Sequence, residues 1–179
     1  TQVFEFNDTG KIKNFEVYKK GEHFVSLNSK FTEESRTWIM SYPLERQGED
    51  TYIEEIIDSV SSLFTSQYIE GDCKGLSKYG LDNPSYVLKL TDNNGQQTLS
   101  LGDRVPEGGE LYCLFGGSNN VFTVSMDAVA FTDDTAIKYM DTDIFTRSYT
   151  VLESAKIEIS CANINETYTL GYEIKGENE

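Results

Sequence analysis

The sequence predicts an α+β fold: antiparallel β-hairpins, partly arranged as a meander, pack against one main amphipathic helix, and a partial second repeat stands at the C-terminus. Three observations lead to this prediction. Between Thr51 and Phe64, apolar residues recur with the spacing of a helix that buries one stripe. Between Ser85 and Val124, short alternating runs are separated by turns rich in Gly and Asn. Finally, the pattern near residue 155 resembles the pattern near residue 13.

The N-terminal part of the chain predicts short strands joined by tight turns. Each run places apolar residues at alternate positions, as expected where one face of a sheet is buried. Pro43 ends the last of these runs, because proline cannot donate to a sheet ladder. The predicted strands are Val3–Phe6, Ile12–Tyr18, Phe24–Leu27 and Arg36–Tyr42.

The helix predicted at Thr51–Phe64 has the clearest periodicity in the chain. Thr51 and Glu54 have the spacing of a capping box, in which each side chain bonds to the backbone of the other residue. Acidic residues near the start of the helix are also favoured by its dipole. The predicted buried stripe consists of Ile53, Ile56, Ile57, Val60, Leu63 and Phe64.

A stiff corner follows, and the rest of the chain is organised around it. Lys74–Tyr79 is compatible with a short helix, and Gly80 suits the left-handed position just past a helix end. Asn83 precedes a proline, which pushes its backbone toward an extended conformation. Asp92–Gly95 is a strong hairpin turn, because Asn and Gly tolerate positive φ. A short strand at Tyr68 and Ile69 is expected before the corner.

The region after the corner predicts a meander of four strands from Ser85 to Val124, followed by a broken helix over Met126–Met140. Ser125 is a candidate cap for that helix, and Asp133-Asp134 should interrupt it. Further on, Ala155–Ser160 and Tyr168–Leu170 resemble the Lys13–Tyr18 and Phe24–Leu27 segments. We therefore expect residues 1–150 to form one repeat unit and residues 151–179 to begin a second, truncated one.

Charge narrows the classes of partner. The net charge of −15, from 30 acidic and 15 basic residues, opposes binding to nucleic acid, which requires clustered Lys and Arg. It also disfavours anionic membrane surfaces. The chain begins at Thr1 without a signal peptide or an apolar run of membrane length. Any membrane association is thus expected only through an anchor outside this segment.

The residues typical of catalysis and metal binding do not form recognisable motifs. Cys73, Cys113 and Cys161 lie far apart, which argues against a zinc site. Cys113 and Cys161 lie in predicted strands, which favours buried apolar roles, and one disulfide is left open for an exported protein. His23 is the sole histidine, and a strand or surface position explains it best. The paired aspartates lack the spacing of a calcium loop. The sequence therefore predicts a protein that is not an enzyme and has no cofactor, catalytic residue or metal ligand.

Aromatic residues supply the candidate interaction surface, which consists of Trp38, Tyr42, Tyr79 and Tyr112. Together with Tyr52 they could line a surface that binds a sugar or a peptide. The competing interpretation is packing in the core and on the sheet, which pleated, half-buried faces favour.

The corner and the strands after it resemble the bacterial family known as domain of unknown function 4340. The resemblance is carried by Trp38, Pro43, Tyr79, Gly80, Leu81, Asp82, Pro84, Leu101, Gly102, Asp103, Tyr112, Val121 and Phe122. It runs from about Lys11 onward. It implies an extracytoplasmic protein, a lipoprotein or otherwise membrane-anchored at the cell surface, encoded beside ABC transporters of the gliding-motility type. No catalytic residues are known for the family, so the resemblance implies none here.

Three functions follow as hypotheses. The first is a non-catalytic interaction or structural module of the bacterial cell envelope, accessory to an ABC-type transport system and bound to a protein partner such as a transporter component. The second is an extracytoplasmic domain that binds a glycan or a peptide through its aromatic residues. The third is a hydrolase with two carboxylates facing one cleft.

Overall fold

The computed structural model describes residues 1–32, 35–143, 154–161 and 164–171. It divides into two compact units, Thr1–Thr142 and Asp143–Glu179. The predicted boundary at residue 150 lies outside the described residues. In the second unit, β10 (Ser154–Cys161) and β11 (Ile164–Gly171) pair as an antiparallel hairpin.

The first unit is built on one antiparallel sheet of nine strands, which confirms the predicted α+β class with mostly antiparallel strands. Every neighbouring pair of strands runs antiparallel. The order across the sheet is β4-β3-β2-β1-β6-β7-β8-β9-β5. The strands are β1 (Asn14–Lys19), β2 (Glu22–Phe31), β3 (Arg36–Tyr42), β4 (Arg46–Gln47), β5 (Gln67–Glu70), β6 (Tyr86–Thr91), β7 (Gln96–Arg104), β8 (Glu110–Phe115) and β9 (Val121–Ser125).

Two meanders meet in the middle of this sheet. One runs outward from β1 to β4 and the other from β6 to β9, and the two join where β1 pairs with β6. In that seam Asn14 lies opposite Thr91 and Lys19 opposite Tyr86. The predicted meander after the corner is confirmed, while the seam and the position of β5 beyond β9 were not predicted.

The helix α1 (Asp50–Ser61) confirms the predicted periodicity and buries Ile53, Ile56, Ile57 and Val60. The predicted capping box is wrong, because the helix starts earlier and Glu49 takes the cap position without a side-chain bond. Glu54 instead accepts hydrogen bonds from Arg36 and from the indole of Trp38. The predicted end at Phe64 is also wrong: the Phe64 side chain lies outside the helix and is 61% exposed.

The predicted N-terminal strand Val3–Phe6 is wrong. Phe4 is fully buried, yet in the described residues the segment forms no strand: an isolated bridge joins Gln2 to Phe64, and the Val3 amide donates to the Leu63 carbonyl at 2.9 Å. The side-chain amide of Gln97 takes the place of a strand partner. It donates to the Glu5 carbonyl at 2.7 Å, and its oxygen accepts from the Glu5 amide at 2.8 Å. The apolar residues that predicted a strand here are thus buried by a segment without regular secondary structure.

The predicted corner is confirmed in its local geometry. A 3-10 helix, Leu76–Tyr79, ends at Gly80, whose φ of 66° is left-handed. Asp92 accepts hydrogen bonds from the amides of Asn94 and Gly95, which closes the predicted turn between β6 and β7. The corner packs closely on the sheet: a Cβ added at Gly102 would lie 2.2 Å from the Tyr79 carbonyl oxygen.

The broken helix predicted over Met126–Met140 is two 3-10 helices, Asp127–Asp133 and Ala136–Tyr139. The break at Asp134 is confirmed, since its backbone is extended with φ −72° and ψ 157°. Ser125 is not a cap, because it belongs to β9. These short turns place Val129, Phe131 and Tyr139 in the core shared by α1 and the sheet.

Candidate functional site

The four predicted surface aromatics do not come together. Trp38 is fully buried, and its indole N–H donates to Glu54 at 2.8 Å, so it belongs to the core. Tyr42 stacks on His23, with ring centroids 4.2 Å apart, and His23 stacks in turn on Tyr18. Tyr42 is the last residue of β3, near one edge of the sheet, whereas Tyr112 lies in β8, nearer the other edge.

Tyr79 and Tyr112 do contact each other, with ring centroids 4.7 Å apart. They pack against a second small core around Cys73, Leu81 and Val121. The Tyr79 hydroxyl donates to Glu70 at 2.9 Å, which ties the corner to β5. This pair therefore supports the β5 end of the sheet, and the packing interpretation describes Trp38, Tyr79 and Tyr112 better than a shared surface does.

Two of the exposed aromatic side chains, Phe64 and Tyr68, lie just before or within β5, the outermost strand at one edge of the sheet. In the part of the chain that the structure describes, β5 pairs with β9 alone. The exposed fractions are 61% for Phe64, 62% for Tyr68 and 37% for Ile69. We call Phe64, Tyr68, Ile69, Phe115 and Phe122 the edge patch.

A row of aromatic contacts connects the edge patch to the sheet. The rings of Tyr68 and Phe122 meet edge to face at 5.3 Å, and those of Phe122 and Phe115 lie 4.9 Å apart. Tyr68 lies opposite Phe122, which in turn lies opposite the buried Cys113. The row thus extends the core side of the sheet outward until Tyr68 becomes exposed.

The other outer strand, β4, is covered by a later part of the chain. The amide of Asp141 donates to the Gln47 carbonyl at 2.9 Å, and Arg46 donates to the Asp141 carbonyl at 2.7 Å. An isolated bridge joins Gly48 to Met140. These bonds occupy backbone groups that an outer strand otherwise leaves open.

Asp134 holds this covering segment through side-chain bonds. It accepts a hydrogen bond from the Tyr52 hydroxyl and pairs with Lys138 at 2.6 Å. Burial alone would raise the pKa of Asp134, but the bonds from Lys138 and Tyr52, with the charge of Lys19, together lower it below the usual value. Its ionised form is therefore favoured in the folded protein.

A cleft of about 540 Å³ opens at the end of the sheet where β1, β6, β7 and β8 approach the 3-10 helix Asp127–Asp133. Burial lowers the pKa of Lys19, although Asp133 and Asp134 act in the opposite direction. Lys19 also donates to the Asp134 carbonyl at 2.6 Å. The lining carries charges of both signs and consists of Lys19, Lys20, Glu22, Ser85, Tyr86, Leu101, Leu111, Thr132 and Asp133.

The partly buried carboxylates have structural partners. Asp50 accepts a hydrogen bond from the Trp38 amide at 2.7 Å, and burial raises the pKa of its carboxyl despite that bond. Glu54 is bound by Arg36 and Trp38. Among the described residues, no group of three or more His, Cys, Asp or Glu side chains could hold a metal ion. In the same described part, no helix has the length and apolar character required to span a bilayer.

Comparison with known families identifies the chain. The model of the domain of unknown function DUF4340 matches residues 38–179, which is more than half of the sequence. The chain belongs to this family. The match begins at Trp38, later than the resemblance from Lys11 had indicated. No curated protein and no solved structure matches the chain.

Proposed function

We propose that this DUF4340 domain is a non-catalytic interaction module of the bacterial cell envelope, accessory to an ABC-type transport system and extracytoplasmic in location. The observation that supports the proposal best is the edge patch, where Phe64 and Tyr68 remain more than half exposed beside an outer strand. Large exposed aromatics that continue a row of core contacts are typical of protein-binding sites. The extracytoplasmic location and the transport association are those that the resemblance to this family implies.

Site-specific photo-crosslinking in the native bacterium tests this function. A benzophenone amino acid replaces Tyr68 in the full-length protein, and a second variant carries it at Ile137, which is also 62% exposed. We expect a discrete adduct with an envelope protein, such as a transporter component, from position 68 but not from position 137. The proposal is wrong if position 68 gives no adduct, or if both positions give the same products.

The proposed repeat organisation rests on the two hairpins. β1 and β2 are separated by the two residues Lys20 and Gly21, and β10 and β11 are likewise separated by two residues. Both pairs are antiparallel. We infer that β10 and β11 begin a second unit of the kind that β1 and β2 begin, in which one main helix again packs against the hairpins. A longer segment of the full-length protein should show a helix after that hairpin, and its absence would contradict the inference.

The second candidate function is binding of a glycan or a peptide, and the cleft at the end of the sheet favours it. Its volume of about 540 Å³ is within the range of small-ligand sites. Its mixed charges suit a peptide better than a neutral glycan, because a peptide itself carries charges of both signs. Screening short peptides by NMR would test this function: shifts confined to the cleft residues favour it, and shifts confined to β5 exclude it.

A further inference from the structure

We propose that the edge of β5 binds an extended, net basic segment of a partner protein as an added antiparallel or parallel strand. This inference rests on the proposed docking function and specifies the kind of partner. It starts from the backbone: in the described residues β5 has a sheet neighbour on the β9 side only, so its other side offers hydrogen-bonding groups to a further strand.

The side chains of β5 do not carry the usual protection of an outer strand. Natural sheets shield such edges with lysines, prolines or covering segments. β5 reads Gln-Tyr-Ile-Glu, and its one acidic residue, Glu70, is already bound by Lys78 and Tyr79. In the described residues the strand is limited by its short length, by a bulge between Tyr68 and Glu70, and by the pairing of Thr1–Val3 with Leu63–Thr65 just before it. Those features limit the added segment to a few residues.

The edge patch defines the spacing of apolar residues in the added segment. Side chains alternate between the two faces of a strand. On the core side the segment would meet Tyr68, whose ring contacts Phe122, so the residues on that face should be large and apolar. On the other side the corner presents the half-buried Tyr79 beside Lys78 and Glu70, where polar residues fit. Apolar and polar residues should therefore alternate along the added segment.

Net charge selects among the occupants that could fill this edge. The chain carries −15, which repels a second copy of itself and anionic lipid, and attracts a basic segment at long range. The attraction comes from the chain as a whole, because Glu70 at the edge is paired with Lys78. The added segment should therefore carry a net positive charge, and association should weaken as salt increases.

Selection from a phage-displayed library of random twelve-residue segments tests the inference with the full 179-residue chain. We expect enriched segments in which apolar and polar residues alternate and which carry a net positive charge. The selected peptide is then made with N-methyl groups on either of its two alternate sets of amides. Only one set should abolish binding, because alternate amides of an added strand point toward β5.

The chain supplies matched variants for this test. Tyr68→Ala should weaken binding of the selected peptide at least about tenfold, as expected for a central aromatic contact. Ile137→Ala removes an equally exposed apolar side chain elsewhere and should leave the affinity unchanged. Circular dichroism and thermal unfolding of both variants check that the fold is intact.

Several results would overturn strand addition, and they separate it from the docking function. If both methylated peptides bind like the parent, or the library enriches no alternating segment, the inference fails, while an adduct from position 68 in cells keeps the docking function. A dimer in sedimentation equilibrium that Tyr68→Ala dissociates would assign the edge to a second copy. Binding to vesicles of anionic lipid that Tyr68→Ala abolishes would assign it to a membrane. Failure of both the library and the crosslink removes both proposals.

Discussion

The two outer strands of the sheet are both short, yet the protein treats them differently. β4 is covered by the segment around Met140 and Asp141. The Asp141 amide donates to the Gln47 carbonyl, and a bridge joins Met140 to Gly48. β5 has no such cover in the described part of the chain, and its own residue Tyr68 is 62% exposed. The cover of β4 is anchored by Tyr139, which is fully buried. The difference shows that this fold can cover one sheet edge with its own chain, whereas the described residues place no further strand on β5, the edge to which we assign the proposed partner.

The largest expected effect comes from removing the anchor of the covered edge. Tyr139→Ala should lower the free energy of unfolding by about 3–5 kcal/mol, because a fully buried aromatic side chain leaves a cavity. Tyr68→Ala is the matched control at the open edge and should stay within about 0.5 kcal/mol. Urea unfolding followed by circular dichroism measures both. Equal losses would remove the distinction between the two edges.

A smaller loss of unfolding free energy is expected from Glu54→Ala, which removes the bonds between α1 and β3. Glu54 accepts hydrogen bonds from Trp38 and from Arg36, whose side chain is only 11% exposed. Its removal leaves these donors unpaired and should cost about 2–3 kcal/mol. The exposed neighbour Glu55→Ala serves as the control in the same urea titration, with a change within about 0.5 kcal/mol. If Glu54→Ala changes the free energy of unfolding no more than the control does, β3 is held to α1 mainly by apolar packing.

Gly102→Ala tests whether the close packing of the corner on β7 stabilises the β5 edge. The added Cβ would meet the Tyr79 carbonyl at 2.2 Å and push the corner away from the sheet, at a cost of about 1–3 kcal/mol. Gly109→Ala, where the structure places nothing within 4 Å, should be nearly neutral. NMR spectra of the first variant should also show shifts at β5, since Tyr79 bonds to Glu70. Shifts confined to β7 would separate the corner from the edge.

The smallest effect concerns pH and Asp134. Since its folded pKa is lowered below the usual 3.8, its ionised form stabilises the protein above that pH, and the contribution is lost as the pH falls through the folded value. Asp134→Asn should cost about 1 kcal/mol or less at pH 6. The difference from the unchanged protein should narrow below pH 3.8. Urea titrations across this range measure it, with Asp133→Asn as control. A difference that grows on acidification would contradict the assignment.

Features that depend on neighbouring residues could be predicted from the sequence. The buried face of α1, the left-handed Gly80 and the turn at Asp92 each follow from a few adjacent side chains. The pairing of β1 with β6 could not be predicted, because it joins segments far apart in sequence whose patterns fit several partners. The position of β5 outside β9 has the same cause.

The candidate site was missed because residue type alone does not indicate exposure. The indole N–H of Trp38 has an acceptor in the partly buried Glu54, so Trp38 can pack in the core. Phe64 fitted the helix stripe by spacing, but α1 ends at Ser61. The pair Ser61-Ser62 was the only local signal of that end, since serine competes with the helix backbone for hydrogen bonds. Nothing in the Gln67–Glu70 run indicated an outer strand.

The order of strands in the sheet has a consequence for synthesis. β5 leaves the ribosome before β6, β7, β8 and β9, yet its only neighbour in the described sheet is β9. The apolar side chains of β5, Tyr68 and Ile69, therefore have no partner strand on the nascent polypeptide until Val121–Ser125 has been translated. During that interval the same apolar groups are open to chaperones and to premature self-association.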